Sequence, residues 1–522
     1  MAPVAPAAPD ARPRTHSGWL FVIAMLPFAI LTAHHWNWGA PPGFGDHAQY
    51  LAHARAIVEG RAYTDIGYIY HPAAPMLGPR AYPPGLPLTL APIVALFGVD
   101  SPMNQVLMIV SIVAFAYLAF RRLELAMAPW QAALAVGFTA LGVESRFGSV
   151  VPLSDPGFCA LLWGLVLAVD TTSRWTWQRI ALVTALGFAA MAYRVPGVAV
   201  VPALTLYALV TWRRHGGRAL IPVALWAVAG VAVLLSRMFD LPFRQYLLPR
   251  LDEIGDRITS MSRVYKASVF DLELYAFPRE KLNDAYHLIA SLLLVAGAGA
   301  LLWRYRRTMM TTTVLAYVAI LFVSPVSDGR YLWPMYPVLA AGMVIGATAV
   351  SRSIIRYARW YPRNAVPVAV ALVIVMLGAV RAELGVSAPL SLDRLPDAKQ
   401  LFAWMRDRNG KQPMRAMFVN PRVLSIETGV ASMGALALRP HLQLHALRER
   451  QISHIVWQNA ETNNCRARLL NSLPRVYPKH FVLEYQNPTF RVYRFLQTDA
   501  TPDEIAASFE VSPAVCRQLP RF

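Results

Sequence analysis

The sequence predicts an α-helical polytopic membrane protein with a C-terminal extracytoplasmic α/β domain. Composition gives the first observation: 56% of the 522 residues are hydrophobic and 15% are charged, whereas a soluble domain carries about 25% charged residues. The second is a series of apolar runs long enough to cross a hydrocarbon core of about 30 Å. The third is a change of pattern after residue 381, where these runs give way to short alternating segments. Together they exclude a disordered, collagen-like or ordinary cytosolic protein.

The formal net charge of +19 does not indicate a nucleic-acid partner. The basic residues form short clusters between apolar runs instead of one stripe, which is the pattern that the positive-inside rule produces. The charge therefore reports membrane topology. Three cysteines exclude a disulfide-rich scaffold and a CxxC metal site.

Eleven membrane spans follow from the apolar runs. Placing the basic clusters in the cytoplasm with the N-terminus gives an exterior C-terminus. The first span is interpreted as an uncleaved anchor instead of a signal peptide, because no clear A-x-A site follows it. The predicted spans are 18–36, 102–120, 129–146, 156–171, 180–193, 195–212, 219–236, 285–303, 309–324, 331–350 and 364–381.

The apolar run from Gly85 to Gly98 decides the orientation of everything that follows it. At 1.5 Å per residue its 14 residues make a helix of about 21 Å, too short for a perpendicular crossing. We interpret it as a juxtamembrane or partly inserted helix. If it does cross, every later loop changes side.

Three regions follow from this topology: a cytoplasmic tail over 1–17, a transmembrane module over 18–381 with exterior loops 37–84 and 237–284, and an exterior α/β domain over 382–522. The pattern in the last region predicts a helix over 395–409 that ends at Gly410. It also predicts strands over 415–419, 454–457, 481–485 and 490–495, with a hairpin turn at 486–489.

Two exterior carboxylates are candidate site residues. Asp46 directly precedes a predicted helix over 49–58, so it suits either an N-cap or a catalytic base. Asp155 lies beside a proline turn at the end of a span, and capping is again the alternative. Spacing alone leaves both interpretations open.

Two arginines, Arg194 and Arg330, fall on the exterior side against the positive-inside preference. An ion pair, such as Arg330 with Asp328, is one explanation. Binding of a phosphate headgroup is the other, because a guanidinium offers a charge-assisted fork to phosphoryl oxygens.

Two further pairs of residues are of types that bind metal or form disulfides, one a pair of histidines and the other a pair of cysteines. His34 and His35 are of the type that binds metal, but adjacent side chains on a helix point apart, and no metal site is predicted. Cys465 and Cys516 both lie in the exterior domain, where an oxidising compartment permits a disulfide. The sequence leaves that pairing open.

Several short motifs, in order, resemble bacterial GT-C glycosyltransferases, which include protein O-mannosyltransferase and aminoarabinose transferase relatives. They are Asp46–Ala52, Tyr82-Pro83-Pro84-Gly85, Ser154-Asp155-Pro156 and Arg330-Tyr331-Leu332-x-Pro334. The segment Pro421–Gly429 is similar to the exterior domains appended to many bacterial members. The resemblance covers roughly residues 18–381 and implies a bacterial inner-membrane protein.

The resemblance implies transfer of a sugar from a polyprenyl-phosphate carrier to an acceptor at the exterior face. Our hypothesis is that the transfer is inverting, and the sequence leaves open whether the acceptor is a glycan, a lipid or a protein. No cofactor is predicted, and the sequence leaves open a divalent cation shared by Asp46 and Asp155. The implied site residues are Asp46 and Asp155 for catalysis, Arg330, Arg194 and Arg80 for the donor phosphate, and His47, Tyr50, Tyr82 and Tyr331 for substrate.

The chain departs from the family pattern at two of these positions. His47 stands where many relatives carry glutamate, and Tyr82 stands where several carry lysine. Phosphate binding would then fall to the arginines. The alternative functions are a secondary transporter or flippase of a lipid-linked saccharide, and a non-catalytic membrane scaffold. The chain shows neither the inverted repeats nor the broken mid-membrane helices often found in transporters.

Overall fold

The computed structural model describes most of the chain. The described residues are 17–36, 38, 45–72, 78–236, 255, 259, 280–323, 328–357, 366–385, 392–436, 438, 440–459 and 465–496. The predicted tail 1–17 and loop 237–284 fall almost wholly outside them, as does Cys516. The interpretation of that loop and the pairing of Cys465 with Cys516 therefore stay predictions.

The chain divides into two compact units. The first, called the helical unit here, comprises residues 1–37, 83–86 and 102–387. The second, called the sheet unit, comprises residues 38–82, 87–101 and 388–522. The sheet unit thus joins most of the first predicted exterior loop to the C-terminal segment.

Long apolar helices make up the helical unit, and each of the eleven predicted spans overlaps at least one of them. The helices are α1 (Gly18–His34), α4 (Met103–Leu123), α5 (Pro129–Leu141), α6 (Val143–Val150), α7 (Ser154–Asp170), α8 (Trp177–Tyr193), α9 (Val200–Val210), α10 (Trp212–His215), α11 (Ile221–Ser236), α12 (Glu280–Arg304), α13 (Met309–Val323), α14 (Tyr336–Tyr357) and α15 (Val366–Leu384). Short 3₁₀ turns lie at 195–199, 216–220 and 329–335.

By length and composition, two helical stretches among the described residues are able to cross a membrane, or four if each bent pair counts as one span. The number of crossings therefore stays a prediction. The predicted span 129–146 is wrong as a single helix, because the helix breaks at Gly142 and α6 then meets α7 at a bend of 119°. The run predicted over 85–98 forms α3 (Gly85–Phe97), and whether it crosses also stays a prediction.

A buried ion pair joins the ends of three helices in the helical unit. The guanidinium of Arg122, at the end of α4, donates to the carboxylate of Asp170, the last residue of α7, and both side chains are almost completely buried. The same carboxylate accepts the backbone N–H groups of Met309 and Met310, which open α13. These connections, all predicted to be cytoplasmic, therefore lie at one end of the unit.

A six-stranded mixed sheet forms the centre of the sheet unit, in the order β1-β3-β2-β4-β6-β5. The first four of these strands are parallel, and β6 runs antiparallel to both of its neighbours, β4 and β5. The strands are β1 (Tyr68–Ile69), β2 (Arg415–Phe418), β3 (Ala431–Gly434), β4 (His454–Gln458), β5 (Phe481–Gln486) and β6 (Phe490–Phe495). The four predicted strands and the hairpin turn are confirmed within one residue at each end, whereas β1 and β3 were not predicted.

Helices cover both faces of this sheet, so alternate strand residues pack into two apolar layers. One layer combines Phe418 and Phe490 with Ala48 of the first loop, and the other contains Met417 and Ile455.

The predicted helix end at Gly410 is wrong, because the helix continues to Lys411. The helices are α2 (Asp46–Val58), α16 (Pro396–Lys411), α17 (Pro421–Thr428), α18 (Pro440–Glu449) and α19 (Cys465–Val476), with 3₁₀ turns at 79–81, 392–394 and 478–480.

Small residues let α12 and α14 approach closely in the helical unit. A Cβ on Gly346 would lie 2.6 Å from the carbonyl oxygen of Leu293, and a Cβ on Gly297 would lie 2.7 Å from the carbonyl carbon of Gly342. Helix pairs in membranes use such residues to bring their backbones together.

We expect Gly297→Ala to destabilise the helical unit, because the added methyl would overlap backbone atoms that cannot move aside. The expected cost is about 1–3 kcal/mol. Gly299→Ala is the matched control on the same helix, since a methyl group added there would meet nothing within 4 Å. Thermal unfolding of both variants in detergent checks this, and equal unfolding temperatures would contradict the packing argument.

Candidate functional site

Asp46 is the first residue of α2. The N-cap position is occupied by Gly45, which has no side chain with which to cap the helix. One carboxylate oxygen, Oδ1, accepts hydrogen bonds from the Tyr82 hydroxyl and from Nη1 of Arg422, each at 2.8 Å. The capping interpretation of Asp46 is therefore wrong, and the carboxylate serves an ion pair.

Arg422 is a site residue that sequence reasoning missed. Its side chain is 5% exposed, whereas that of Asp46 keeps 27% exposure. The guanidinium lies 5.4 Å from the ring centre of Tyr68 and 5.1 Å from that of Tyr82, and Nη1 also donates to the Tyr82 hydroxyl at 2.8 Å. The segment Pro421–Gly429 carried the family resemblance, but nothing in it singled out the arginine.

Burial keeps both tyrosines neutral. It raises the pKa of Tyr68 to about 12. Burial, and then the Asp46 carboxylate, raise the pKa of Tyr82 well above its ordinary value. The Tyr82 phenol therefore remains a hydrogen-bond donor at physiological pH.

The structure places a positive charge beside Tyr82, the position where several relatives carry a lysine. Several relatives carry lysine at the position of Tyr82, and the sequence interpretation assigned the missing positive charge to Arg80, Arg194 or Arg330. In the structure a guanidinium from the C-terminal segment lies against Tyr82 itself. Arg80, in the turn 79–81, is exposed.

A polar network within the sheet unit supports the helix that carries Asp46. Tyr50 lies one turn along α2 and packs edge-on against Tyr82, with ring centres 5.2 Å apart. His53 lies one further turn along, where its Nδ1 donates to the Tyr63 carbonyl at 2.7 Å and its ring stacks on that of Tyr63. The Tyr63 hydroxyl in turn donates to the Tyr82 carbonyl at 2.9 Å. The network fixes the backbone of Tyr82 relative to α2.

In the helical unit, Asp155, Arg194 and Tyr331 come together. Asp155 lies in the first turn of α7 and forms an ion pair with Arg194, at the end of α8. Both side chains are buried, and the guanidinium lies 4.7 Å from the ring centre of Tyr331. Leu153 is the N-cap of α7, so Asp155 is not the cap residue.

Arg330 forms the ion pair that the sequence analysis offered as one alternative. Nε of Arg330 donates to the Asp328 carboxylate at 2.9 Å, and Nη2 lies 2.7 Å from the same oxygen. Asp328 also accepts the backbone N–H of Arg330 at 3.0 Å. The side chain of Arg330 is 17% exposed, so the charge is held at a partly open position.

The predicted site residues thus form two groups, one in each unit. Convergence of the two groups on one pocket stays a prediction, as do the substrate roles of His47, Tyr50, Tyr82 and Tyr331. Among the described residues no group of three or more His, Cys, Asp or Glu side chains is arranged to hold a metal ion. Asp46 and Asp155 are each paired with an arginine instead.

We expect the stability of the sheet unit to fall as pH drops from about 6.5 to about 4. Burial lowers the pKa of His53 to about 4, so in this interval the unfolded chain binds a proton that the folded chain does not. The loss is at most about 3 kcal/mol, since one pKa unit is worth about 1.4 kcal/mol.

Unfolding curves between pH 4 and pH 8 check this expectation. His53→Gln should flatten the pH dependence, while His445→Gln, at an exposed position, should leave it unchanged. The same slope in all three proteins would show that His53 is not the group responsible.

Comparison with known proteins adds evidence on the fold. No protein-family model and no curated protein matches the sequence. ArnT from Cupriavidus metallidurans, solved with bound undecaprenyl phosphate, is similar in structure with a TM-score of 0.53 and 13% identity, over 93% of this chain and all of that chain. Archaeal oligosaccharyltransferase AglB from Archaeoglobus fulgidus, in complex with an inhibitory peptide and a dolichol-phosphate, gives a TM-score of 0.54 and 12% identity, over 93% of this chain and 75% of that chain. The chain therefore has the fold of these two structures, and this agrees with the fold that the sequence resemblance predicted.

Proposed function

We propose that the protein is an integral membrane glycosyltransferase. It moves a sugar from a polyprenyl-phosphate carrier to a glycan, lipid or protein acceptor at the extracytoplasmic face of a bacterial inner membrane. Two similar structures support the choice of donor, since one holds undecaprenyl phosphate and the other a dolichol-phosphate.

The Asp46 site is the observation that carries the proposal. Asp46 is an ion-paired carboxylate that is not the N-cap residue of its helix and that keeps 27% exposure while its partner is buried. A carboxylate at the surface does not need a buried guanidinium as its partner, because burying the guanidinium costs desolvation free energy. A carboxylate that must stay charged and fixed in direction does need such a partner.

The proposed reaction is an inverting displacement at the anomeric carbon. An acceptor hydroxyl attacks that carbon, the bond from the carbon to the phosphate oxygen breaks, and polyprenyl phosphate leaves. Asp46 accepts the hydroxyl proton as general base. The phosphate leaves as an anion that is stable at neutral pH, so no general acid is required.

Arg194 and Arg330 are proposed to hold the donor phosphate and to stabilise the charge that grows on it. Asp155 fits a supporting role in this scheme, because it is paired with Arg194 and so directs that guanidinium. Tyr331 lies over the same group. Arg80 is an additional candidate on the first loop.

We expect Asp46→Asn to lower transfer by about 10²–10⁴-fold, the range that a general base contributes. The amide keeps the shape of the side chain but accepts no proton at neutral pH. The measurement uses membranes from expressing cells and a panel of radiolabelled undecaprenyl-phosphate sugars, and it asks which label moves and onto what.

Asp65→Asn is the matched control, since Asp65 lies in the same loop and forms an exposed ion pair with Arg61 at 3.1 Å. It should transfer sugar at the wild-type rate. A panel in which no label moves would contradict the proposed function. Near-normal transfer by Asp46→Asn would remove that residue from the mechanism.

We expect Arg330→Gln to raise the KM for the donor by about 10–150-fold, because the variant loses a charge-assisted contact worth about 1.5–3 kcal/mol. Arg174→Gln, at an exposed position in the connection between α7 and α8, is the control and should leave the KM unchanged. Initial rates at varied donor concentration separate the two, and an unchanged KM in Arg330→Gln would place the phosphate elsewhere.

A further inference from the structure

The C-terminal segment supplies a charged group directly to the helix of the first loop. Arg422 is the second residue of α17, which starts three residues after β2 ends. It thus lies at the carboxyl end of a parallel strand, where α/β sheets commonly place functional side chains. α17 packs on α2 within the sheet unit, and this contact brings Arg422 to Asp46 across 376 residues of sequence.

The guanidinium of Arg422 is fixed before any substrate arrives. Two tyrosine rings, those of Tyr68 and Tyr82, flank it, and its side chain is 5% exposed. Burial alone would lower the pKa of Arg422, but Tyr82 and Asp46 more than offset it, so the pKa is raised and the group stays charged. An arginine packed in this way has little freedom to leave its place.

Both donors around Asp46 act on the same oxygen. Nη1 of Arg422 and the hydroxyl of Tyr82 donate to Oδ1, and they are hydrogen-bonded to each other. Three polar groups in mutual contact fix the carboxylate plane. A general base requires this constraint, because its activity depends on the direction from which it meets the proton.

We propose that Arg422 is a positioning residue for Asp46, so that the C-terminal segment completes the catalytic site instead of only binding the acceptor. Arg422 acts through the carboxylate and touches neither sugar nor phosphate. The inference rests on the proposed function, because it assigns a role relative to the general base.

The test measures kcat and donor KM for Arg422→Gln, Arg422→Lys and Tyr82→Phe, with the undecaprenyl-phosphate sugar that the panel identifies. Arg422→Gln should lower kcat by about 10–100-fold with donor KM within about threefold of wild type. Arg422→Lys should recover part of the loss, because it keeps the charge without the planar fork. Tyr82→Phe should lower kcat by a smaller factor, since the arginine remains.

Matched controls come from the same unit. Arg494→Gln breaks an ion pair with Glu484 at an exposed position, and Tyr485→Phe removes a hydroxyl that accepts one hydrogen bond from Asn487. Both should turn over at the wild-type rate. Thermal unfolding of every variant identifies those that fold, and if both Arg422 variants fail to fold, Tyr82→Phe decides the question alone.

Two outcomes would overturn the inference while leaving the proposed function intact. One is a folded Arg422→Gln, or failing that a folded Tyr82→Phe, with unchanged kcat beside an inactive Asp46→Asn. The other is a raised donor KM at unchanged kcat in Arg422→Gln, which would mean that Arg422 contacts the donor. An active Asp46→Asn instead removes the proposed base, and the inference is then lost with it.

Discussion

The sheet unit depends on one charge pair, Arg422 with Asp46. Removing a guanidinium from water costs several kcal/mol unless a partner and hydrogen bonds compensate it. Asp46 supplies the opposite charge, and the rings of Tyr68 and Tyr82 supply polarisable faces. The carboxylate reaches this place because α2, which begins at Asp46, packs against α17. The packing of the unit therefore lets two distant segments share one buried charge.

A second set of contacts holds the first loop in register with the C-terminal strands. The carbonyl of Gly67 accepts the Ser425 hydroxyl at 3.0 Å and the Ser432 backbone N–H at 2.8 Å, and the two serine hydroxyls are 2.6 Å apart. Gly67 has a φ of +73°, a conformation that glycine adopts without strain. The next residues form β1 beside β3. Backbone hydrogen bonds thus position Tyr68, one of the two rings that flank Arg422. The other ring, Tyr82, is positioned by the hydrogen bond from the Tyr63 hydroxyl to its carbonyl.

Local pattern was sufficient for most helices of the helical unit, though not for the break at Gly142, and for four of the six strands, because each is encoded by its own apolar period. It was insufficient for β1, whose two residues carry no period and which is a strand only because β3 lies beside it. The same reason explains the missed Arg422. Asp46 and Asp155 were found as candidates because an acid at the start of a helix is visible locally. What each acid pairs with depends on tertiary contacts, and a single sequence does not encode a pairing across 376 residues in any local signal.

The two ends of α7 show why similar ion pairs serve different purposes. Asp170 ends the helix and accepts two backbone N–H groups of α13 as well as the Arg122 guanidinium, so its oxygens are committed to joining helices. Asp155 lies near the other end of the same helix, about 22 Å away along the axis, and is paired with an arginine that lies over an aromatic ring. The positive-inside rule predicts that the Arg122 end is cytoplasmic and that the opposite end faces the exterior, which is where the proposed lipid-linked donor would present its phosphate. A charge that closes a helix junction stabilises the fold, while a charge held against a ring by one carboxylate is the kind that an incoming phosphate can engage. The place of this pair, near the end of α7 opposite Asp170, supports the phosphate role proposed for Arg194.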